Sequence, residues 1–194
     1  FTLLRLRSIL SMSSLCLNFG IMKISKDNLT VSIVTLKSEI VVNKCIESID
    51  KSIPIIVVEN SKNKDFQSKI EKKYQNVKCI LTNENLGMGK GNNVGIREAK
   101  TRFVLVLNPD TILYDDALKN LFEISENLNF TILAPISDDI NFLNYKKTNH
   151  TNSKDGNLIQ AQYVDGYAFI LDKEKFGENY FDENFFMYLE NNDL

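Results

Sequence analysis

The sequence predicts an α/β protein in which a mainly parallel sheet is flanked by helices within a single domain. Short apolar, β-branched runs alternate with stretches of helical periodicity over the first two-thirds of the chain. This alternation is typical of a parallel sheet with crossover helices. A length of 194 residues suits one domain and is enough to bury a sizeable core.

The first two strands are predicted from continuous apolar runs. Residues 31–35, Val-Ser-Ile-Val-Thr, lack the alternation of a half-exposed strand and suit one that is buried on both faces. Residues 38–49 place apolar side chains at helical spacing. Pro54 ends that helix, and the Ile-Ile-Val-Val run at 55–58 predicts the second strand.

The middle of the chain repeats the pattern. A polar surface helix is predicted over 65–74 and a short third strand over 77–81. Glycines at 87–91 predict a loop that leads into a helix at about 93–100. The apolar run at 103–107 predicts a fourth strand.

The last third departs from this alternation. Asp115 is predicted to cap a helix, and a fifth strand is predicted at 131–134. Residues 137–160 are polar and loop-like, whereas residues 163–171 are strand-like with Gly166 inside the run.

The chain is expected to divide at its start into an extension and a domain. Residues 1–24 are expected to be poorly ordered or non-native, and residues 25–194 to form the domain. The opening stretch is apolar, but serines interrupt it, and it is too polar and too short for a membrane span. A peripheral membrane anchor is the alternative interpretation.

Composition excludes several classes of function. The net charge of −2 and the scattered lysines give no electrostatic basis for binding nucleic acid. The three cysteines match no zinc or redox spacing, and their sparseness fits a reducing cytoplasm. The single histidine, His150, lies in a polar stretch, which argues against a hydrolase built on a placed imidazole.

Polar residues follow the apolar runs at the edge where α/β sheets bind ligands. Asp110 comes directly after the fourth strand, and Pro109 stiffens its turn. A carboxylate held there can bind a hard divalent cation that bridges a diphosphate, although a plain turn or helix cap remains the alternative. Glu59 could accept hydrogen bonds from a ribose or base, or cap its own strand end.

Two further segments carry candidate chemistry. The glycines of residues 85–95 would let backbone amides approach a phosphate, or would simply form a tight loop. No Ser or Thr follows Lys90 in the position that a Walker loop requires. The acidic end at 190–194 could supply a general base or be solvated surface, and its neighbouring aromatic residues weaken the second interpretation.

The order and spacing of these pieces resemble the family-2 inverting glycosyltransferases with a GT-A fold, within them the rhamnosyltransferase-like branch. The resemblance covers about residues 30–194. Its matching pieces are Val-Ser-Ile-Val-Thr at 31–35, Val-Val-Glu-Asn-Ser at 57–61, residues 85–96, Leu-Asn-Pro-Asp-Thr at 107–111, Val-Asp-Gly at 164–166, Phe-Asp-Glu at 181–183 and Phe-Phe-Met-Tyr at 185–188.

The resemblance implies a binding site for a nucleoside-diphosphate sugar. Glu59 replaces the family's usual aspartate at the base or ribose, and Asp110 is the metal-side acid of a DxD-type motif whose first aspartate is here Asn108. The cofactor implied is a divalent cation, Mg²⁺ or Mn²⁺. The remaining residues assigned to this site are Thr35, Asn85, Gly87, Asn92 and Gly166.

The resemblance also indicates the catalytic residues and where they depart from the family. The family's usual candidate base directly follows a glutamate, and here that position is Asn191, which cannot accept a proton at neutral pH. Glu190 or Asp193 is the expected substitute. Because the family normally continues beyond this point, the acceptor side is expected to be incomplete.

The expected function is transfer of a sugar from the nucleotide donor to a saccharide or lipid-linked acceptor with inversion. The implied setting is cell-surface polysaccharide synthesis in the cytoplasm, at the inner face of the membrane. Two alternatives stay open. One is a non-catalytic nucleotide-binding remnant, which Asn191 favours. The other is a sugar-nucleotide nucleotidyltransferase, which the absence of glycine at 36–39 disfavours. A dinucleotide-binding domain is more distant, because no glycine fingerprint follows the first strand.

Overall fold

The structure is a computed structural model that describes residues 2–4, 9–12, 22–126, 128–135, 145–147, 158–177 and 180–184. Its strands are β1 (Thr2–Leu4), β2 (Ile9–Met12), β3 (Leu29–Thr35), β4 (Ile55–Glu59), β5 (Val77–Leu81), β6 (Phe103–Leu107), β7 (Thr111–Leu113), β8 (Ile132–Pro135), β9 (Tyr145–Lys147), β10 (Leu158–Val164) and β11 (Ala168–Asp172). Its α-helices are α1 (Glu39–Glu47), α2 (Lys64–Lys73), α3 (Gly87–Glu98), α4 (Ala117–Ser125) and α5 (Lys173–Phe176).

One large mixed sheet organises the chain in the order β5-β4-β3-β6-β11-β8-β2-β10-β9. The four strands from β5 to β6 are parallel, with Val31 opposite both Ile55 and Leu105. Strand β11 then runs antiparallel between β6 and β8. The predicted fold class, a sheet flanked by helices in a single domain, is confirmed.

The sheet has a hydrophobic core on each face. Alternate side chains of β3, Ile33 and Val34, enter different clusters, as the two-residue period of a strand requires. Helices α1, α2 and α4 cover one face, and α3 covers the other together with Tyr180 and Phe181. Burial on both faces explains why β3, β4 and β6 are apolar runs without alternation.

The structure corrects the prediction most clearly in the glycine-rich segment. The sequence predicted a loop at 87–91 before the helix, but α3 already begins at Gly87. The reason is packing. A Cβ on Gly91 would lie 2.8 Å from Val34 Cγ1, and one on Gly95 would lie 2.0 Å from Ser32 Oγ. These two glycines therefore let the helix backbone lie directly against the sheet.

The last third also differs from its prediction. The N-cap of α4 is Asp116, not Asp115. The single strand expected at 163–171 is two strands, β10 and β11, joined by a turn at 165–167. Parts of the predicted loop at 137–160 are strands, because β9 pairs antiparallel with β10.

Two short strands come from the first residues of the chain. β2 pairs with β8 and β10 in the large sheet, and β1 pairs with β7 in a separate two-stranded sheet. The domain boundary at residues 24 and 25 stays a prediction. Among the described residues, no helix has the length and apolar character needed to cross a membrane.

Candidate functional site

The candidate site lies where the four parallel strands end. The loops after β3, β4, β5 and β6 meet at this edge because parallel strands share a direction. Two non-glycine residues here, Lys37 and Asn83, have left-handed backbones with φ of 52° and 65°. Such conformations cost free energy for ordinary residues and cluster at functional sites.

Glu59 ends β4 and organises the first two of these loops. Its side chain is only 1% exposed. One carboxylate oxygen accepts a hydrogen bond from the Ser61 hydroxyl and a longer one, 3.4 Å, from the Lys37 amide. The carboxylate is therefore held within its own loops at the position where the sequence predicts a base or ribose contact.

Asn60 connects the same edge to helix α3. Its backbone N–H donates to the Thr35 carbonyl at 2.8 Å, and its side-chain amide donates to the Gly87 carbonyl at 2.9 Å. Asn85 lies just before the helix, and its side-chain oxygen accepts from the Gly87 N–H at 3.0 Å. The structure thus joins Thr35, Gly87 and Asn85 through hydrogen bonds that include Asn60, and Glu59 is the chain neighbour of Asn60.

Several buried polar atoms at this edge have no hydrogen-bonding partner among the described residues. They are Thr35 Oγ1, Asn60 Oδ1 and Thr111 Oγ1. Buried polar groups are nearly always paired, so unpaired ones mark a place where a ligand or water completes the bonding. Asn92, also assigned to the site by the sequence, is buried on α3.

Asp110 projects from a tight turn after β6. The Thr111 N–H donates to the Asn108 carbonyl at 3.1 Å, which closes the turn. Asp110 is exposed, and its carboxylate forms no hydrogen bond or ion pair with any described residue. Because β3 lies between β4 and β6, the Glu59 and Asp110 strand ends are about 10 Å apart.

The turn at 165–167 packs beside the Asp110 turn. Asn108 donates its N–H to the Tyr167 carbonyl at 2.8 Å, which extends the β6–β11 pairing by one residue. This contact brings Gly166 to the same edge as Asn108. Burial raises the pKa of Asp165 from its usual value.

A second set of hydrogen-bonded polar side chains joins α3 to the segment 180–184. Asn93 is fully buried, and its side-chain amide bonds both the N–H and the carbonyl of Phe181. It also donates to Glu183, which accepts from Arg97 as well. These hydrogen bonds lower the pKa of Glu183. The catalytic candidates Glu190 and Asp193 lie outside the described residues.

Sequence reasoning missed the roles of Asn60 and Asn93. Both lie within segments that carried the resemblance, but amides give no charge or spacing signal in a single sequence. The described residues contain no group of three or more His, Cys, Asp or Glu that could hold a metal ion.

Solved structures with a similar fold define the class of protein. S. aureus TarS 1-349 superposes with a TM-score of 0.60 at 17% identity, covering 85% of this chain and 53% of that one. The same protein in complex with UDP gives 0.58 at 15% identity over the same shares. The mannosyltransferase PcManGT from Pyrobaculum calidifontis, in complex with GDP-Man and Mn²⁺, gives 0.53 at 11% identity and covers 76% and 45%. The fold is that of the GT-A glycosyltransferases.

Sequence comparison then gives the family. The profile described as Glycosyl transferase family 2 matches residues 30–190. The chain is 26% identical over 183 residues to the low-salt glycan biosynthesis hexosyltransferase Agl10 of Haloferax volcanii, covering 84% of this chain and 59% of that protein. The protein belongs to glycosyl transferase family 2, and the chain spans about three-fifths of this curated relative.

Proposed function

We propose that this chain binds a nucleoside-diphosphate sugar at the strand-end edge and transfers its sugar with inversion to a saccharide or lipid-linked acceptor. The observation that carries the proposal is the carboxylate of Asp110. It is exposed and without a described partner, and a turn closed between Asn108 and Thr111 holds it at the edge of a family-2 sheet. The relative's description as a hexosyltransferase supports the same chemistry.

The nucleoside end of the donor is assigned to the β3–β4 side of the edge. Thr35, Asn60 and the loop held by Glu59 lie there, and unpaired oxygens of the first two can complete their bonding with a ligand. The TarS structure in complex with UDP supports a nucleotide in this fold. Asn85, Gly87, Asn92 and Gly166 complete the proposed donor site.

A divalent cation fits the diphosphate end. Asp110 offers an exposed carboxylate that has no partner among the described residues, which contain no larger cluster of His, Cys, Asp or Glu. Mg²⁺ and Mn²⁺ suit such a place, since Mg²⁺ is usually held by one or two carboxylates together with substrate phosphates. When bound, the cation would neutralise charge on the leaving diphosphate. The mannosyltransferase complex with GDP-Man and Mn²⁺ supports this assignment.

The acceptor hydroxyl needs a base on the face opposite the leaving group, because a single displacement inverts the anomeric carbon. Glu190 and Asp193 are the proposed bases, since Asn191 cannot accept a proton. The proposed setting is cell-surface polysaccharide assembly in the cytoplasm, with peripheral association at the inner membrane face. The rhamnosyltransferase-like branch remains a proposal at the same level.

Calorimetric titration with UDP and dTDP, each with and without Mn²⁺, tests the donor site. The parent chain, Asp110→Ala and the control Asp115→Ala are compared; Asp115 is an exposed acid just beyond β7. We expect Mn²⁺-dependent binding of one nucleotide by the parent and the control, and its loss in Asp110→Ala. Binding without any metal dependence would remove Asp110 from the role proposed.

The titration, joined with an assay of sugar release from nucleotide donors, tests the alternative of a non-catalytic remnant. A folded parent that binds a nucleotide but releases no sugar from any donor would favour the non-catalytic remnant. A folded parent that binds neither nucleotide would contradict the donor site altogether.

A further inference from the structure

The strongest unassigned feature is the group formed by Asn93, Arg97, Phe181 and Glu183, here called the α3 clamp. It joins two parts of the chain that are 86 to 90 residues apart in sequence. One part is helix α3, whose first residue is bonded to Asn60 at the donor edge. The other is the segment 180–184, which leads directly into the acidic end of the sequence.

The side-chain amide of Asn93 bonds the backbone of Phe181 in the way that one β-strand bonds the backbone of the next. Its Nδ2 donates to the Phe181 carbonyl at 2.9 Å, and its Oδ1 accepts from the Phe181 N–H at 3.0 Å. A fully buried amide with both ends bonded to one residue's backbone fixes the position and the direction of that backbone. Few side chains other than an amide offer a donor and an acceptor in this geometry.

The other contacts of the α3 clamp limit rotation of the segment 180–184 about Phe181. Nδ2 of Asn93 also donates to Glu183 at 3.1 Å, and Arg97, one helical turn further along α3, donates to the same oxygen at 2.9 Å. The Phe181 ring packs against Phe169 of β11 with centroids 6.1 Å apart. The segment is thus held by polar bonds on one side and by ring packing on the other.

We propose that Asn93 is a positioning residue for the transfer reaction, because it fixes the segment 180–184, from which the acidic end of the sequence continues, against α3. The inference rests on the proposed function, because it assigns the base to Glu190 or Asp193, seven and ten residues beyond Glu183. A clamp of this kind acts on catalysis and not on donor affinity. Small misplacements of a reacting group reduce turnover by up to about 100-fold while leaving binding intact.

Asn93→Asp tests the clamp in the 194-residue chain. The new carboxylate cannot donate to Phe181 or Glu183, and it repels Glu183. We expect the dissociation constant for UDP or dTDP to stay that of the parent. The kcat per folded molecule, measured as nucleoside diphosphate released from UDP- and dTDP-hexoses with octyl glycosides as acceptors, should fall on the order of 10–100-fold.

A paired variant distinguishes positioning from plain stability. Asn93→Asp combined with Glu183→Gln exchanges the amide and the carboxylate, so the new side-chain amide can donate across the same contact in the opposite direction. We expect this double variant to recover part of the lost kcat. Glu98→Gln is the matched control, since it breaks a comparable surface ion pair of α3, with Lys78, and should leave kcat unchanged.

The kcat and the nucleotide affinity of these variants decide whether Asn93 has a positioning role. Unchanged kcat in folded Asn93→Asp, or nucleotide affinity that falls as far as kcat, overturns the positioning role. If Asn93→Asp does not fold, Arg97→Gln replaces it, since Arg97 is half exposed, and unchanged kcat there overturns the proposal. A parent that binds neither nucleotide, or binds one without any turnover, overturns the proposed function first, and this inference with it.

Discussion

The glycines of α3 show how a single residue type can serve packing where its pattern indicates a ligand. The glycines of residues 85–95 predict either a loop that approaches a phosphate or a plain tight loop. Gly91 and Gly95 lie instead within a helix, against Val34 and Ser32. A single sequence cannot separate the two uses, because both require the same missing Cβ. The hydrogen bonds of Asn85 and Asn60 to Gly87 are what link this segment to the site.

Gly95→Ala should destabilise the fold despite the better helix propensity of alanine. Its Cβ would overlap Ser32 Oγ, and overpacking costs about 1–3 kcal/mol. Against a helix gain of about 1 kcal/mol, we expect a net loss of up to about 2 kcal/mol in the free energy of unfolding by urea. Ser32→Ala removes the overlapping hydroxyl, which is buried without a described partner, so the double variant should recover most of the loss. A fully stable Gly95→Ala single variant would contradict this account.

Cys45 gives a residue-scale prediction about pH. Burial and the nearby charge of Asp110 raise the pKa of its thiol to about 12, and burial raises the pKa of Cys79 to about 12 as well. Both thiols stay protonated at pH 8, and the thiolate is the reactive form. We expect peptide mapping after iodoacetamide treatment to show both unmodified in native protein and modified in urea.

The same shift affects stability at alkaline pH. Between the ordinary value of 9.0 and about 12, the unfolded chain loses the thiol proton while the folded chain keeps it. The free energy of unfolding should therefore fall as the pH rises through this range. Rapid native alkylation of Cys45 at pH 8 would contradict both expectations.

At the scale of elements, strand β5 is an edge that its neighbouring helix covers. The Cys79 N–H donates to Glu71 at 2.8 Å, and the Cys79 carbonyl accepts from Gln67 at 2.7 Å. These side chains of α2 bond the backbone groups that another strand would otherwise use. Unpaired edges are where sheets add foreign strands.

Glu71→Ala with Gln67→Ala should expose this edge. We expect a loss of about 1–3 kcal/mol in stability, from the two hydrogen bonds, and a concentration-dependent rise in light scattering. Lys69→Ala is the control, because it removes an exposed side chain of the same helix. Equal scattering by the control and the double variant would show that α2 does not protect the edge.

Element prediction succeeded where burial on both faces dictated the sequence. β6 was predicted with the residues that the structure gives it, and β3 and β4 to within two residues. The bounds of β5 were also predicted, although this edge strand is only partly buried. The order of the later strands was not predictable, because β11 inserts between β6 and β8 through pairing that no local pattern encodes. The strand-end acids could be identified from sequence because each directly follows an apolar run. The α3 clamp joins residues 86 to 90 positions apart, so it became visible only in the structure.

At the scale of the whole molecule, the two ends of the parallel strands differ in their polar groups: one end carries the candidate binding site and the other a buried ion network. The strand-end edge holds polar groups without a partner among the described residues, including the exposed Asp110. The opposite edge holds a closed ion network, in which Arg102 donates twice to Asp172, at 2.8 and 2.9 Å, and Lys175 lies 3.3 Å from the same carboxylate. Asp172 is fully buried and Arg102 is 10% exposed, so this network links the start of β6 to the end of β11 away from solvent.

Asp172→Asn should therefore lower stability without affecting nucleotide binding, and Asp110→Ala should do the reverse. The first removes the buried carboxylate that Arg102 bonds twice and leaves the half-exposed Glu174 as its remaining counter-charge. Breaking a buried pair costs about 3–5 kcal/mol. For a chain of this size, that corresponds to a fall in melting temperature on the order of 10 °C. Nucleotide affinity, measured by calorimetry below that temperature, should be unchanged because the donor edge lies at the other end of the strands. Asp110→Ala should keep the melting temperature and lose metal-dependent binding. If Asp172→Asn weakened nucleotide binding in fully folded protein, stability and donor binding would share one structural origin, and the separation of the two edges would be wrong.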